Sequence, residues 1–75
     1  LTEKQQSEGR ADCIIETDND IYIFEFKLDG TAKQALDQIK TMGNARPYAN
    51  NKRTIHCIGV NFSSKTGTID DWEVE

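Results

Sequence analysis

Glu25 and Lys27 stand two residues apart in the stretch IYIFEFKLDG (21–30), which is otherwise apolar from Ile21 to Leu28. Side chains alternate along a β-strand, so these two share one face while Phe24, Phe26 and Leu28 share the other. Charges among apolar neighbours are costly unless something pairs with them. The preceding run ADCIIET (11–17) leads into the turn formers Asp18-Asn19-Asp20, and the two runs together predict a hairpin. A loop closing symmetrically over residues 17–20 sets Asp12 opposite Glu25, Ile14 opposite Ile23 and Glu16 opposite Ile21. Opposed side chains have Cβ atoms about 4.5–5.5 Å apart, so a second carboxylate is expected beside Glu25. Two such carboxylates repel when both are ionised, and one pKa rises unless a cation intervenes. Mg²⁺ takes oxygen ligands, commonly one or two carboxylates with water or phosphate completing the shell. The backbone carbonyl of Phe26 is a further candidate ligand. Lys27 would then neighbour a metal-bound water or the charge that develops on a phosphoryl group. The chemistry expected of this set is phosphodiester hydrolysis.

The elements that position these residues follow from local pattern. Strand 21–28, rich in Ile, Tyr and Phe on both faces, is expected at the centre of a sheet covered on both sides. In LDGTAKQALDQIKTMGNA, Thr31 and Gln34 match a capping box, and Ala32, Ala35, Leu36, Ile39 and Met42 share one helical face. Gly43 and Asn44 suit the C-terminal stop. Gln38 borders the apolar stripe and can reach the face bearing Glu25. After a loop through Pro47 and Tyr48, residues 54–62 read as a second buried strand. The order strand, helix, strand predicts a right-handed crossover and a parallel pair. Residues 63–67 then turn the chain into a last strand, Thr68 to Val74. The predicted fold is α/β, a small mixed sheet with a packed helix, ordered as hairpin, helix crossover, hairpin.

The stretch GRADCIIETDNDIYIFEFKLDGTAKQALDQIK resembles the core of the PD-(D/E)XK nuclease superfamily, the restriction-endonuclease-like fold. More narrowly, it is similar to bacterial nuclease-like domains that follow an ATPase-like module in a larger chain. These carry a GRxD strand start, an I-x-E-F-K strand and an AL-x-QI helix in that order. The likeness runs over residues 9–62. E-x-K alone arises by chance in many strands, whereas the ordered set of Asp, E-x-K and a helix Gln is more specific. The resemblance implies that Asp12 and Glu25 bind the metal, Mg²⁺ or Mn²⁺, that Lys27 acts in catalysis, and that Gln38 supports the site. It also implies a nucleic-acid substrate, DNA ahead of RNA. Ala11 stands where the family's name places proline. The family also carries a helix and often a strand before the Asp strand, for which residues 1–8 are too few. A domain truncated at its N-terminus is therefore expected, with an ATPase-like module upstream in the same chain.

Seventy-five residues make a single domain, 1–75, with a small core, read as a fragment of a longer chain. The formal charge of −4 argues against a simple electrostatic nucleic-acid binder. No apolar run is long enough to span a bilayer and no leader precedes the domain, so no membrane partner and a cytoplasmic location are expected. Cys13 and Cys57 lack CxxC spacing and read as small buried thiols. His56 has no second ligand-type neighbour and reads as structural. Arg46, Lys52 and Arg53 are scattered cations of the kind any surface carries, and Tyr48 and Trp72 read as core or partner contacts. Asp12 and Glu25 have an ordinary alternative as surface carboxylates balanced by Arg10 and Lys27. The rival functional expectation is an inactive nuclease fold that serves a larger ATPase-containing protein as a docking module, with a homodimer formed through an apolar surface.

Overall fold

The structure is a computed structural model that describes residues 2–3 and 11–75. Gly9 and Arg10, which open the GRxD motif, lie outside the described residues. Strands β1 (Thr2–Glu3), β2 (Cys13–Glu16) and β3 (Asp20–Leu28) are followed by helix α1 (Ala32–Met42), then β4 (Thr54–Ser63) and β5 (Thr68–Val74). They form one five-stranded sheet in sequence order. The two-residue β1 edge pairs with β2 antiparallel, in an opening stretch whose polar sequence carries no strand period.

The hairpin has the expected register, with Ile14 opposite Ile23 and Glu16 opposite Ile21. Thr17 N–H donates to the Asp20 carbonyl at 2.8 Å, and Thr17 Oγ1 accepts from Asp20 N–H at 3.0 Å, so residues 17–20 close the loop symmetrically. The α1 crossover returns the chain parallel to β3, pairing Asp20–Leu28 with Thr54–Phe62. Both halves of the capping box form: Thr31 Oγ1 accepts from Gln34 N–H at 3.0 Å, and Gln34 Oε1 accepts from Thr31 N–H at 2.9 Å. Gly43, at φ 68°, ends the helix, and the Asn44 N–H donates to the Ile39 carbonyl at 3.0 Å. The segment around Pro47 is a short 3₁₀ turn (Arg46–Tyr48).

Ala32, Ala35, Leu36 and Ile39 are buried where α1 lies on the sheet, and with Ala11, Ile21 and Ile23 they make the core. Helix and sheet approach closely at Gly59, where a Cβ would lie 2.4 Å from the Ala32 carbonyl oxygen and 2.6 Å from Leu36 N. Gly59 is the β4 residue opposite Glu25, so bare backbone contact sets the helix height beside that carboxylate.

The described residues cover one face of the sheet. Helix α1 covers the face of Ile21, Ile23, Glu25 and Lys27, and no described element covers the other. There Phe26 is 38% exposed and Leu28 68%. Trp72 does not enter the core either. It lies opposite Val60 on the uncovered face and is 64% exposed. The two cysteines are free and half-buried. No helix among the described residues is long and apolar enough to cross a membrane.

Candidate active site

The ladder between β2 and β3 stops where Asp12 begins to bond with its side chain. Asp12 N–H donates to the Phe24 carbonyl at 3.1 Å, and Asp12 Oδ2 accepts from Phe26 N–H at 2.8 Å. A side-chain oxygen thus takes the place of the next backbone acceptor. The paired register ends at Cys13 opposite Phe24, so Asp12 is not the ladder partner of Glu25 that a symmetric hairpin predicts; its carboxylate is placed instead by the bond from Phe26 N–H. The N–H and C=O of a strand residue point to the same neighbouring strand, so the Phe26 carbonyl is aimed to the Asp12 side as well.

Glu25 is only 4% exposed. Its Oε2 accepts from Gln38 Nε2 at 2.6 Å, while Oε1 is buried without a hydrogen-bond partner. Gln38 Oε1 in turn accepts from Lys27 Nζ. The two ends of the Gln38 amide match the two charges, oxygen toward the ammonium and NH₂ toward the carboxylate, and this pattern fixes which way the amide points. Glu25 and Lys27 are therefore joined through Gln38, from the half-buried border of the α1 stripe.

Burial pushes the Glu25 carboxyl up to about 7, the nearby Asp12 carboxylate adds to the rise, and the Lys27 ammonium opposes it. An orphaned carboxylate oxygen in a desolvated place, with a second carboxylate beside it, calls for a proton or a cation. The oxygens of Asp12 and Glu25 and the Phe26 carbonyl are the hard donors that Mg²⁺ or Mn²⁺ takes. Among the described residues no group of three or more His, Cys, Asp or Glu forms a metal cage.

Asn61 is a neighbour that the sequence reading missed. It lies opposite Lys27 on β4, is 2% exposed, and its Oδ1 accepts from Gly30 N–H at 2.8 Å. That bond holds the turn from β3 into α1. The signal available was its parity: a lone amide in the apolar run GVNF falls on the Glu25 and Lys27 face once the parallel register is set. Asp29, at φ 58°, steadies the same end, where Ser64 N–H and Oγ donate to its carboxylate at 3.0 and 2.5 Å.

The other candidates lie elsewhere. His56 Nε2 is 2.8 Å from Asp20 Oδ1 and its ring stacks on Tyr22, at the opposite end of β3. Arg53 pairs with Glu16 at 3.0 Å, and Tyr48 packs against the core.

The profile of the PD-(D/E)XK nuclease superfamily matches residues 1–72. A protein of Azotobacter chroococcum mcd 1, named "Uncharacterized protein in vnfD 5'region", is 36% identical over 75 aligned positions, covering 97% of this chain. The chain spans 14% of that relative's length. No solved structure gives a significant match. With a matched profile over nearly its whole length, and a small mixed sheet carrying one packed helix, the chain belongs to the PD-(D/E)XK nuclease superfamily.

Proposed function

We propose that the chain is a metal-dependent nuclease that hydrolyses phosphodiester bonds of nucleic acid, with DNA as the expected substrate. The observation that carries this reading is the buried, partnerless Glu25 Oε1 beside Asp12, with Lys27 held two residues away through Gln38. Asp12, Glu25 and the Phe26 carbonyl would hold Mg²⁺ or Mn²⁺. The bound ion would supply Lewis acidity toward a phosphoryl oxygen and lower the pKa of water. The chain's own groups do the rest. Lys27 presents a fixed ammonium to the negative charge that grows on the phosphoryl oxygens, and Gln38 keeps Nζ from swinging to solvent. Glu25 holds a proton near neutral pH in the unloaded protein and gives it up when a cation takes its place. Asp12 is pinned by Phe26 N–H, so it needs no reorganisation to serve as ligand.

The test is calorimetric titration of Mn²⁺ into the wild type and the Asp12→Asn and Glu25→Gln variants, followed by cleavage assays on duplex and single-stranded DNA and on RNA. Saturable binding lost in both variants, with cleavage by the wild type, supports the reading. A folded wild type that binds no Mn²⁺ sinks it. The docking-module reading would then take its place, favoured by the bare apolar face of the sheet.

A further inference from the structure

We infer that Asn61 is a positioning residue for Lys27, acting through the turn from β3 into α1 that it pins to the end of β4. What Lys27 does rests on the nuclease reading; how it is held does not. The turn contains Asp29 at φ 58°, in the left-handed region where a side chain crowds the backbone. Backbone of this kind persists only where its surroundings fix it, and it gathers at working sites. Bonds from the end of β4 and the loop after it do the fixing. Asp29 N–H donates to the Phe62 carbonyl at 2.8 Å, Ser64 N–H and Oγ donate to the Asp29 carboxylate, and Gly30 N–H donates to Asn61 Oδ1 at 2.8 Å. The bonds from Ser64 also hold the Asp29 carboxyl below its ordinary range, which keeps that anchor ionised at neutral pH.

The reversal at Asp29 brings Gly30 back beside the candidate site. A Cβ at Gly30 would lie 3.6 Å from Lys27 Cβ and 3.8 Å from Asn61 Oδ1. The turn therefore stands against the base of the Lys27 side chain, while Gln38 takes its far end at Nζ. A lysine stem is long and flexible, and its ammonium has a fixed place only after those rotamers are lost. Held at both ends, Lys27 has few of them left. The same bond bears on Gln38. Gly30 leads into the Thr31 cap, and a Cβ there would be 2.7 Å from Gln34 Oε1, the oxygen that accepts from Thr31 N–H. Asn61 thereby sets where α1 begins, about two turns before Gln38. The parallel register puts Asn61 directly beside Lys27, so the residue that pins the turn and the one the turn steadies share a row of the sheet. An apolar residue at 61 would leave Gly30 N–H without an acceptor in a part-buried place.

The experiment follows Lys27 itself, by NMR of protein carrying isotope-labelled lysine, in which an ammonium held in a hydrogen bond exchanges slowly and gives its own signal. Lys27→Ala identifies that signal, and cleavage kinetics and Mn²⁺ titration run alongside. The wild type should show the signal, and its absence there overturns the inference. Asn61→Ala should lose it and lower kcat by about 10–100-fold, the cost of a misplaced group, with KM and Mn²⁺ affinity kept. Ser64→Ala removes one bond at an exposed residue, keeps the fold, and should shift the signal and lower kcat by less. Ile55→Val loosens the packing at the other end of β4 and should leave both unchanged. An unaltered signal and kcat in Asn61→Ala overturn the inference, and so does an equal fall in Ile55→Val. If Asn61→Ala does not fold, an unaltered Ser64→Ala overturns it. In a wild type that cuts nothing, the signal decides alone. Its loss in Asn61→Ala upholds the positioning and refutes only the nuclease reading, while its persistence refutes both.

Discussion

The two faces of this sheet are built from the same strands and almost the same residue types, yet they do opposite things with polarity. On the α1 side, Ile21, Ile23 and Ile39 are fully buried, and within that layer sit a carboxylate, an ammonium and two amides, each held by a named partner except Glu25 Oε1. On the far side, among the described residues, Phe26, Leu28, Trp72 and Val74 stand exposed around half-buried Phe24 and Phe62 and a buried Val60, with the Asp20–His56 pair at one end. Apolar cover makes the polar group strong, because a charge out of water acts at full reach. The uncovered face has hydrophobic mass without that enclosure.

Four measurements can break or sharpen this contrast. The largest effect is expected from Lys27→Ala, which should lower cleavage by about 10²–10³-fold, the cost of losing one preorganised charge donor, while Mn²⁺ still binds. A variant cutting at the wild-type rate would remove Lys27 from the chemistry. Next, Ile23→Ala should cost about 2–5 kcal/mol in denaturant unfolding, and Leu28→Ala under about 0.5 kcal/mol in the monomer. Equal losses would mean that the two faces are covered alike.

The third measurement concerns pH. Glu25 takes up its proton more readily in the folded state, at about 7, than at its ordinary 4.5. The folded protein therefore binds more protons than the unfolded one between these values, and stability falls as pH rises through that window, by up to about 3 kcal/mol. Thermal melts of metal-free protein at pH 5 and pH 8 should show the drop, and Glu25→Gln should flatten it. A wild type equally stable at both would contradict the burial of this charge. The smallest effect belongs to Thr31→Ala, about 1 kcal/mol from the lost helix cap, read by the same melts.

What was legible in the sequence was local. Turn formers at 18–20 marked the hairpin loop and, through it, the register from Cys13–Phe24 to Glu16–Ile21, which brings Asp12 near Glu25 without pairing the two; Thr31, Gln34 and Gly43 marked the helix ends by backbone rules that need no distant contact. Gln38 could be placed beside Glu25 because a border position on the helix stripe must lie over the sheet. The nearness of Asp12, Glu25, Lys27 and Gln38 was thus readable, while their roles rest on the proposed mechanism. Alternation in β3 showed apolar residues on both faces but could not show whether anything covers each one. Pattern states what burial would gain, not whether a partner arrives. Asn61 and the Asp20–His56 pair were hidden for a related reason, since in each case the two partners lie on either side of the long crossover.

Gly59 carries a consequence for how this domain could be damaged at a distance. The helix rides on bare backbone there, and Gln38 hangs from that helix over Glu25 and Lys27. A single methyl group at residue 59 would act as a shim, lifting one layer off the other and pulling the amide out of the gap between the two charges. The alignment of the site is in this sense a tolerance in the engineering meaning, set by an atom that is missing.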